Sequence, residues 1–376
     1  MSPACAALAL FAATRLGGAV VLAVASRAAG KEPLTLLGRT WDSRWYLGIA
    51  ADGYGRTLRF GDDVVQSDLA FFPLYPALVR AVGTVLPVDG MTAGLLVSWL
   101  AAAVAACGLY ALGARLHGRA VGTALVVVWG LLPHSVVLSM AYTEPVLTAC
   151  AAWSLHAVLT GRWVWAGALA CLAGLARPNG IAVAAAVVTA AAVELWRGRR
   201  RPARAARRLH RLWTGAALAP LGWTAYLLWV GHRTGDPLGG YFAVQRGWGS
   251  RFDFGQDAVG SVRHLVLRGD RLDVAMSLLA VAAAALLYVL LLLDRAPLPL
   301  LVHSGVLLLI ALGGAGFFAS KPRFLLPAFP LLLPLAQALV RTARARPWHA
   351  TAVVGALAGL SYAYGAYLLI LTDTPL

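Results

Sequence analysis

Asp42 stands in Trp41-Asp42-Ser43-Arg44-Trp45-Tyr46, one carboxylate among three rings and a guanidinium. A carboxylate in such a place can accept a proton from a hydroxyl nucleophile. The rings suit a lipid–water boundary and also the face of a sugar. Three cations mark turns in otherwise apolar sequence: Arg177 in Ala176-Arg177-Pro178-Asn179-Gly180, and Lys321 and Arg323 in Ser320-Lys321-Pro322-Arg323-Phe324. Ionisable groups beside hydrocarbon are costly unless they are paired or used. These three suit a lipid phosphate, to which arginine offers a two-pronged fork. Glu144, in Met140-Ala141-Tyr142-Thr143-Glu144-Pro145, leaves two readings open. It is the acid of a helix start capped by Thr143, or it takes part in the site, against substrate or against those same cations. Arg15, Arg44 and Asp68 complete the ionisable groups placed near the outer membrane boundary. Asp62-Asp63 is an acidic pair that could hold a divalent cation. Adjacent carboxylates seldom converge on one ion without further ligands, so no metal or cofactor is expected.

The elements that must position these residues are membrane helices. The chain has 376 residues, 60% hydrophobic and 13% charged, with a mean hydropathy of +0.73. That composition is that of an all-α polytopic membrane protein. Apolar runs of roughly spanning length lie at 4–27, 91–114, 119–139, 143–160, 163–176, 179–196, 212–231, 273–293, 298–318, 324–340 and 349–371, about eleven helices in one integral-membrane domain over 1–376. The runs at 163–176 and 179–196 are short and meet at Arg177-Pro178. No basic residue precedes the first run, so it reads as a retained helix rather than a signal peptide. With a cytoplasmic N-terminus, the arginines of 197–211 join Arg115, Arg119, Arg162, Arg295, Arg341, Arg344 and Arg346 on the inner face, as the positive-inside rule requires. Asp42, Asp68 and Glu144 then fall on the extracytoplasmic side of a plasma membrane. The net charge of +16 thus separates into a basic inner face, which meets anionic lipid headgroups, and a nearly balanced outer one. Nucleic acid is not expected as a partner.

Two outer segments, 28–90 and 232–272, are too long to be mere connectors and are rich in aromatic residues. The first is expected to be partly helical. Its stretch from Ala70 to Leu86 should form a helix lying at the interface, with Pro73 and Pro76 near its start. Cys5, Cys107, Cys150 and Cys171 lie in apolar runs as small buried hydrophobes, and His134 and His303 suit packing. No glycine-rich phosphate loop follows a strand, so soluble nucleotide binding is not indicated.

An ordered series of short motifs resembles one known family. Trp41-Asp42, Tyr46, Ile49-Ala50, Gly53-Tyr54 and Ala70-Phe71-Phe72-Pro73-Leu74-Tyr75-Pro76 are followed by Ala141-Tyr142-Thr143-Glu144, Arg177-Pro178-Asn179-Gly180, Gln245 with Trp248, and Arg323-Phe324-Leu325. In that order they look like the PIG-V family, mannosyltransferases that add the second mannose to glycosylphosphatidylinositol in eukaryotes, with bacterial relatives. The resemblance implies a GT-C glycosyltransferase fold, a polyprenyl-phosphate sugar donor, inversion at the anomeric centre and a catalytic base at Asp42. One departure concerns the acid expected shortly before Phe-Phe-Pro, where this chain offers Gln66 and Asp68. A bacterium lacks the eukaryotic glycolipid, so the acceptor does not carry over.

Together these readings give an integral-membrane glycosyltransferase, with Asp42 as base and Arg177, Lys321 and Arg323 on the donor phosphate. Trp41, Arg44, Tyr46, Asp68, Tyr142, Glu144, Asn179, Gln245 and Trp248 are the expected substrate contacts. The partners are a polyprenyl-phosphate sugar, a glycan or glycolipid acceptor and membrane lipid. A flippase or transporter of lipid-linked sugars is the alternative, because it too needs many helices and outer cations.

Overall fold

The computed structural model describes residues 2–60, 64–198, 206–269 and 271–372. Asp62 and Asp63 lie outside the described residues, as do Arg199, Arg200, Arg201 and Arg204 of the basic loop. The chain opens with α1 (Pro3–Ala28), started by Ser2, whose Oγ accepts from the Cys5 amide at 3.2 Å. The first long polar segment then folds as α2 (Pro33–Gly38), α3 (Asp42–Asp52), an antiparallel hairpin of β1 (Thr57–Phe60) and β2 (Val64–Ser67), and α4 (Leu74–Val85). The last is 12 residues, about 18 Å long, too short to cross a hydrocarbon core of about 30 Å. The hairpin was not expected, although Val64-Val65, opposite Phe60 and Arg59, is a strand signal of modest strength.

Next come α5 (Gly90–His117), capped by Asp89 on the Thr92 amide at 3.0 Å, and α6 (Arg119–Gly130). They are followed by α7 (Glu144–Leu159), α8 (Trp163–Ala176) and α9 (Ile181–Gly198). Beyond the basic loop lie α10 (Ala206–Leu218), α11 (Leu221–Thr234), α12 (Gly240–Gly247), the short strand β3 (Arg251–Phe252) and α13 (Gln256–Arg268). The chain ends with α14 (Leu272–Leu293), α15 (Leu298–Gly313), β4 (Gly314–Ala315), α16 (Lys321–Phe324), α17 (Leu333–Ala345) and α18 (Pro347–Ile370). β3 pairs antiparallel with β4, Arg251 opposite Ala315.

Among the described residues, five helices are long and apolar enough to span a membrane, or six if the pair Phe318–Phe324 and Phe329–Ala345, bent by 79°, is one broken span. That is fewer than the eleven runs read from hydropathy. Besides α7, of 16 residues, and the run 212–231, divided between α10 and α11, the difference lies in α6, α8 and α15, with 12, 14 and 16 residues and lengths of about 18, 21 and 24 Å. Each stops at an irregular stretch: 131–143 after α6, 177–180 after α8, and 314–332 after α15. Non-helical backbone at membrane depth is tolerable only where protein covers it or a cavity adjoins it. The stretch after α6 is covered: Ser98 Oγ donates to the Tyr142 carbonyl at 3.0 Å, Trp99 Nε1 to that of Ser139 at 2.9 Å, and Ser361 Oγ to that of Leu132 at 3.0 Å.

Small residues let these short helices sit close. A Cβ on Gly167 of α8 would collide with the Gly215 carbonyl of α10, and one on Gly222 of α11 with the Cys171 carbonyl of α8. α8 is thereby pinned against two neighbours, which fixes the turn at its end. The two long polar segments are stitched together at backbone carbonyls. Tyr226 Oη donates to Phe71 at 2.6 Å, Gln245 Nε2 to Ala70 at 3.2 Å and Trp248 Nε1 to Ser67 at 3.0 Å. Trp45, Phe71 and Trp248 pack ring on ring across this seam, with centroids 5.1 to 5.6 Å apart.

Candidate active site

Two of the irregular stretches, 177–180 and 314–332, and both long polar segments meet around one cavity of about 1010 Å³. Asp42 is the first residue of α3, where the helix dipole favours a negative charge. Its predecessor Trp41 is held at φ 47°, a left-handed conformation that a bulky side chain adopts only under constraint. The strain is local to the one carboxylate on the described lining, which also carries Lys31, Arg44, Arg56, Arg177, Arg251, Lys321 and Arg323. Seven cations against one acid make the cavity a receptor for an anion.

Arg323 Nη1 lies 2.8 Å from Asp42 Oδ2 and Arg323 Nε 3.8 Å from Glu144 Oε1. Arg177 Nη1 pairs with Glu144 and donates to Thr143 Oγ1 at 3.2 Å. Phe324 lies beneath both guanidinium groups, at 5.3 Å from Arg177 and 5.1 Å from Arg323. The arginines and acids thus form one chain, Asp42–Arg323–Glu144–Arg177, built from four separate parts of the sequence. Its charges cancel, yet its hydrogen bonding is incomplete: Arg323 Nε and Nη1 and Glu144 Oε2 are buried without a hydrogen-bond partner. The 2.8 Å contact to Asp42 is an ion pair out of line for a hydrogen bond. Lys321 is 2% exposed, and its Nζ has no hydrogen-bond partner; it rests 4.8 Å from the Phe318 ring centroid. Buried charged groups seldom go without hydrogen bonds, and an anion entering the cavity would supply acceptors for these.

Of the residues expected at the site, Trp41, Asp42, Arg44, Tyr46, Arg177, Asn179, Gln245, Trp248, Lys321 and Arg323 line this cavity. Asp68, Tyr142 and Glu144 lie behind the lining. Asp68 accepts the Gly55 and Arg56 amides, both at 2.8 Å, and so shapes the approach to the hairpin; it is Gln66 that faces the cavity. Tyr142 sits 5.3 Å under Arg323, and its hydroxyl accepts from the Asp42 amide at 3.4 Å. Thr143 makes no side-chain cap to α7; its hydroxyl is taken by Arg177 and lies 3.5 Å from Tyr46 Oη. Thr143 therefore does not cap α7, whereas Glu144 does stand at the start of that helix and pairs with both arginines as well. Burial pushes the Tyr46 hydroxyl up to about 12, despite the opposing pull of Arg177. Arg56, stacked 5.0 Å over Trp45, and Arg251 and Lys31 are lining residues that motif reading passed over. Exposed arginines carry no sequence signal until the fold brings them to one wall. Both histidines pack as expected, His134 against Tyr364 and His303 with Nε2 2.9 Å from the Pro327 carbonyl oxygen.

No protein-family model matches the chain, and no curated protein matches it. Among solved structures, it is similar to the oligosaccharyltransferase of Archaeoglobus fulgidus in complex with zinc and sulfate, at 13% identity over 95% of this chain and 54% of that one, with a TM-score of 0.49. The apo form of that enzyme gives 13%, 96%, 56% and 0.48. The A. fulgidus oligosaccharyltransferase AglB, in complex with an inhibitory peptide and a dolichol-phosphate, gives 12%, 94%, 55% and 0.45. The chain spans about half the length of these proteins. Scores below 0.5 are too low to carry residue roles or ligands from those proteins to this chain.

Proposed function

We propose that this chain is an integral-membrane glycosyltransferase of GT-C type, moving a sugar from a polyprenyl-phosphate donor to a hydroxyl of a glycan or lipid-linked acceptor. The observation that carries the reading is one cavity in which a carboxylate at a helix start stands beside two arginines and a buried ammonium whose hydrogen bonding is unfilled. The donor phosphate is a monoanion of the size and charge that Lys321 and the free edge of Arg323 lack. The acceptor oxygen attacks the anomeric carbon, the bond from that carbon to the phosphate oxygen breaks, and the electron pair leaves on the lipid phosphate. Cations preplaced there stabilise the charge as it grows. The acceptor proton passes to Asp42. That transfer comes late, once the forming bond has made the hydroxyl acidic. Inversion and mannose as the sugar rest on the PIG-V-like motif series. The arginine asymmetry supports a mouth on the outer face of a plasma membrane.

The test is transfer from synthetic polyprenyl-phosphate mannose by the purified protein in bilayers. Wild type should glycosylate added acceptor, and Asp42→Asn should lose about 100-fold or more in kcat, the scale of a general base. Full activity in Asp42→Asn removes Asp42 from the mechanism. Broken helices beside a polar cavity also occur in carriers. Transbilayer movement of labelled lipid with no covalent transfer would favour that second reading.

A further inference from the structure

Arg15, expected near the outer membrane boundary, lies instead in the middle of α1, a helix long enough to span the membrane, and no carboxylate is hydrogen-bonded or ion-paired to it among the described residues. Its partners are neutral: Nη1 donates to the Gly130 carbonyl at 2.6 Å and to Ser135 Oγ at 2.5 Å, and Nε to Ser139 Oγ at 3.2 Å. A charge this deep is expensive and marks a task. Gly130 is the last residue of α6, so the guanidinium meets the negative end of that helix. The neighbouring turn of α1 grips the same place. Phe11 stacks on Trp129 at 5.3 Å, and a Cβ on Gly130 would come within 2.5 Å of Thr14 Oγ1.

From that grip two routes lead to the cavity. One follows the chain: three residues beyond Ser139 is Tyr142, which touches Arg323 and the Asp42 amide, and then come Thr143 and Glu144, which hold Arg177. The other is a hydrogen bond: Trp129 Nε1 donates to the Leu326 carbonyl at 3.0 Å, three residues after Arg323. The end of α6 is thus joined to both irregular stretches that supply the inner charges.

We propose that Arg15 is a positioning residue for the proposed transferase, registering the 131–143 and 321–328 stretches so that Arg323 meets both Glu144 and Asp42. The inference rests on the reading of that cavity as the active site, but its physical test does not. Hydrogen–deuterium exchange on purified Arg15→Met, Arg15→Lys and wild type reads it directly. In Arg15→Met, exchange should quicken in peptides covering 130–144 and 321–328, while α5 and α14 keep wild-type rates. Arg15→Lys keeps a charge for Gly130 and Ser135 but loses the fork, so it should restore part of the protection. In the transfer assay, Arg15→Met should lower kcat by about 100-fold with little change in KM, as misplacement of about 1 Å does. Wild-type exchange at 130–144 in Arg15→Met overturns the proposal. So does loosening spread evenly over α1, α5 and α18 that Arg15→Lys fails to reduce, since that is the mark of a general packing role. Should wild type transfer no sugar, the glycosyltransferase reading fails while the exchange result still decides whether Arg15 sets this register.

Discussion

Glu144→Gln keeps the side chain's shape and removes one charge from the buried chain of ion pairs. Glu144 is 1% exposed and Arg177 7%, so water screens little of what is lost. Before the change two guanidinium groups face two carboxylates; afterwards two face one. Removing one partner of a buried pair leaves the other uncompensated, at a cost of about 3–5 kcal/mol. Arg177 bears it, because its other described polar partner is the Thr143 hydroxyl, whereas Arg323 retains Asp42. The double variant Glu144→Gln/Arg177→Gln removes the stranded cation and should recover most of the loss, giving a coupling energy of up to about 3 kcal/mol. Chemical unfolding of the detergent-solubilised protein measures both. The same single variant should bind farnesyl phosphate more tightly, because the cavity wall gains net positive charge. A carboxylate that contacted substrate would give the opposite sign. Loss of less than about 0.5 kcal/mol, the range of an ordinary surface change, would refute the pairing. Weaker phosphate binding would refute the placement of Glu144 behind the wall.

Lys321→Met should leave stability unchanged or raise it, since a buried ammonium without a hydrogen bond is lost. Calorimetric titration with farnesyl phosphate should show a weakening of roughly 10- to 150-fold, the worth of about 1.5–3 kcal/mol for a charge-assisted contact. Trp248→Phe strands the Ser67 carbonyl at the seam and should cost about 1–3 kcal/mol in the same unfolding assay. Tyr46 has its hydroxyl pushed up from 10 to about 12 by burial, so the unfolded chain releases that proton first. Its share of the stability is complete below pH 10 and falls as pH climbs from 10 toward 12. Tyr46→Phe should flatten the alkaline limb of a stability-versus-pH curve, and an unchanged limb would count against that burial.

The charged residues of the site were legible because charge stands out in apolar sequence. Arg177, Lys321 and Arg323 interrupt helices, and Asp42 sits among rings. Their mutual pairing was not legible, because Asp42 and Arg323 are brought together only by the fold. Gln245 and Trp248 were read as sugar contacts; they do reach the cavity, but their donors are bound to Ala70 and Ser67. A side chain's hydrogen-bond partner on another segment leaves no trace in local sequence. The helical class was plain from composition, whereas the number of crossings was not. Hydropathy measures apolar length, and the run 119–139 is apolar on average although Pro133-His134-Ser135 interrupts it and its helix stops at Gly130. Arg15 announced an expensive charge, but not that its partner would be the end of α6.

The short helices have a further consequence for the membrane as an electrical barrier. Where α6 and α7 stop at the cavity, the insulating layer left along them is only about 18–24 Å of protein. Any gap in that layer would let protons slip between a wet, charged vestibule and the opposite leaflet. The alanines and glycines along α5 and α7 close it: a Cβ on Gly108 would meet that of Ala152 at 2.8 Å, and Ala105, Ala151 and Ala152 are fully enclosed. A small-to-large exchange there would part the two helices, so it is close packing along this seam that keeps so short a layer of protein continuous.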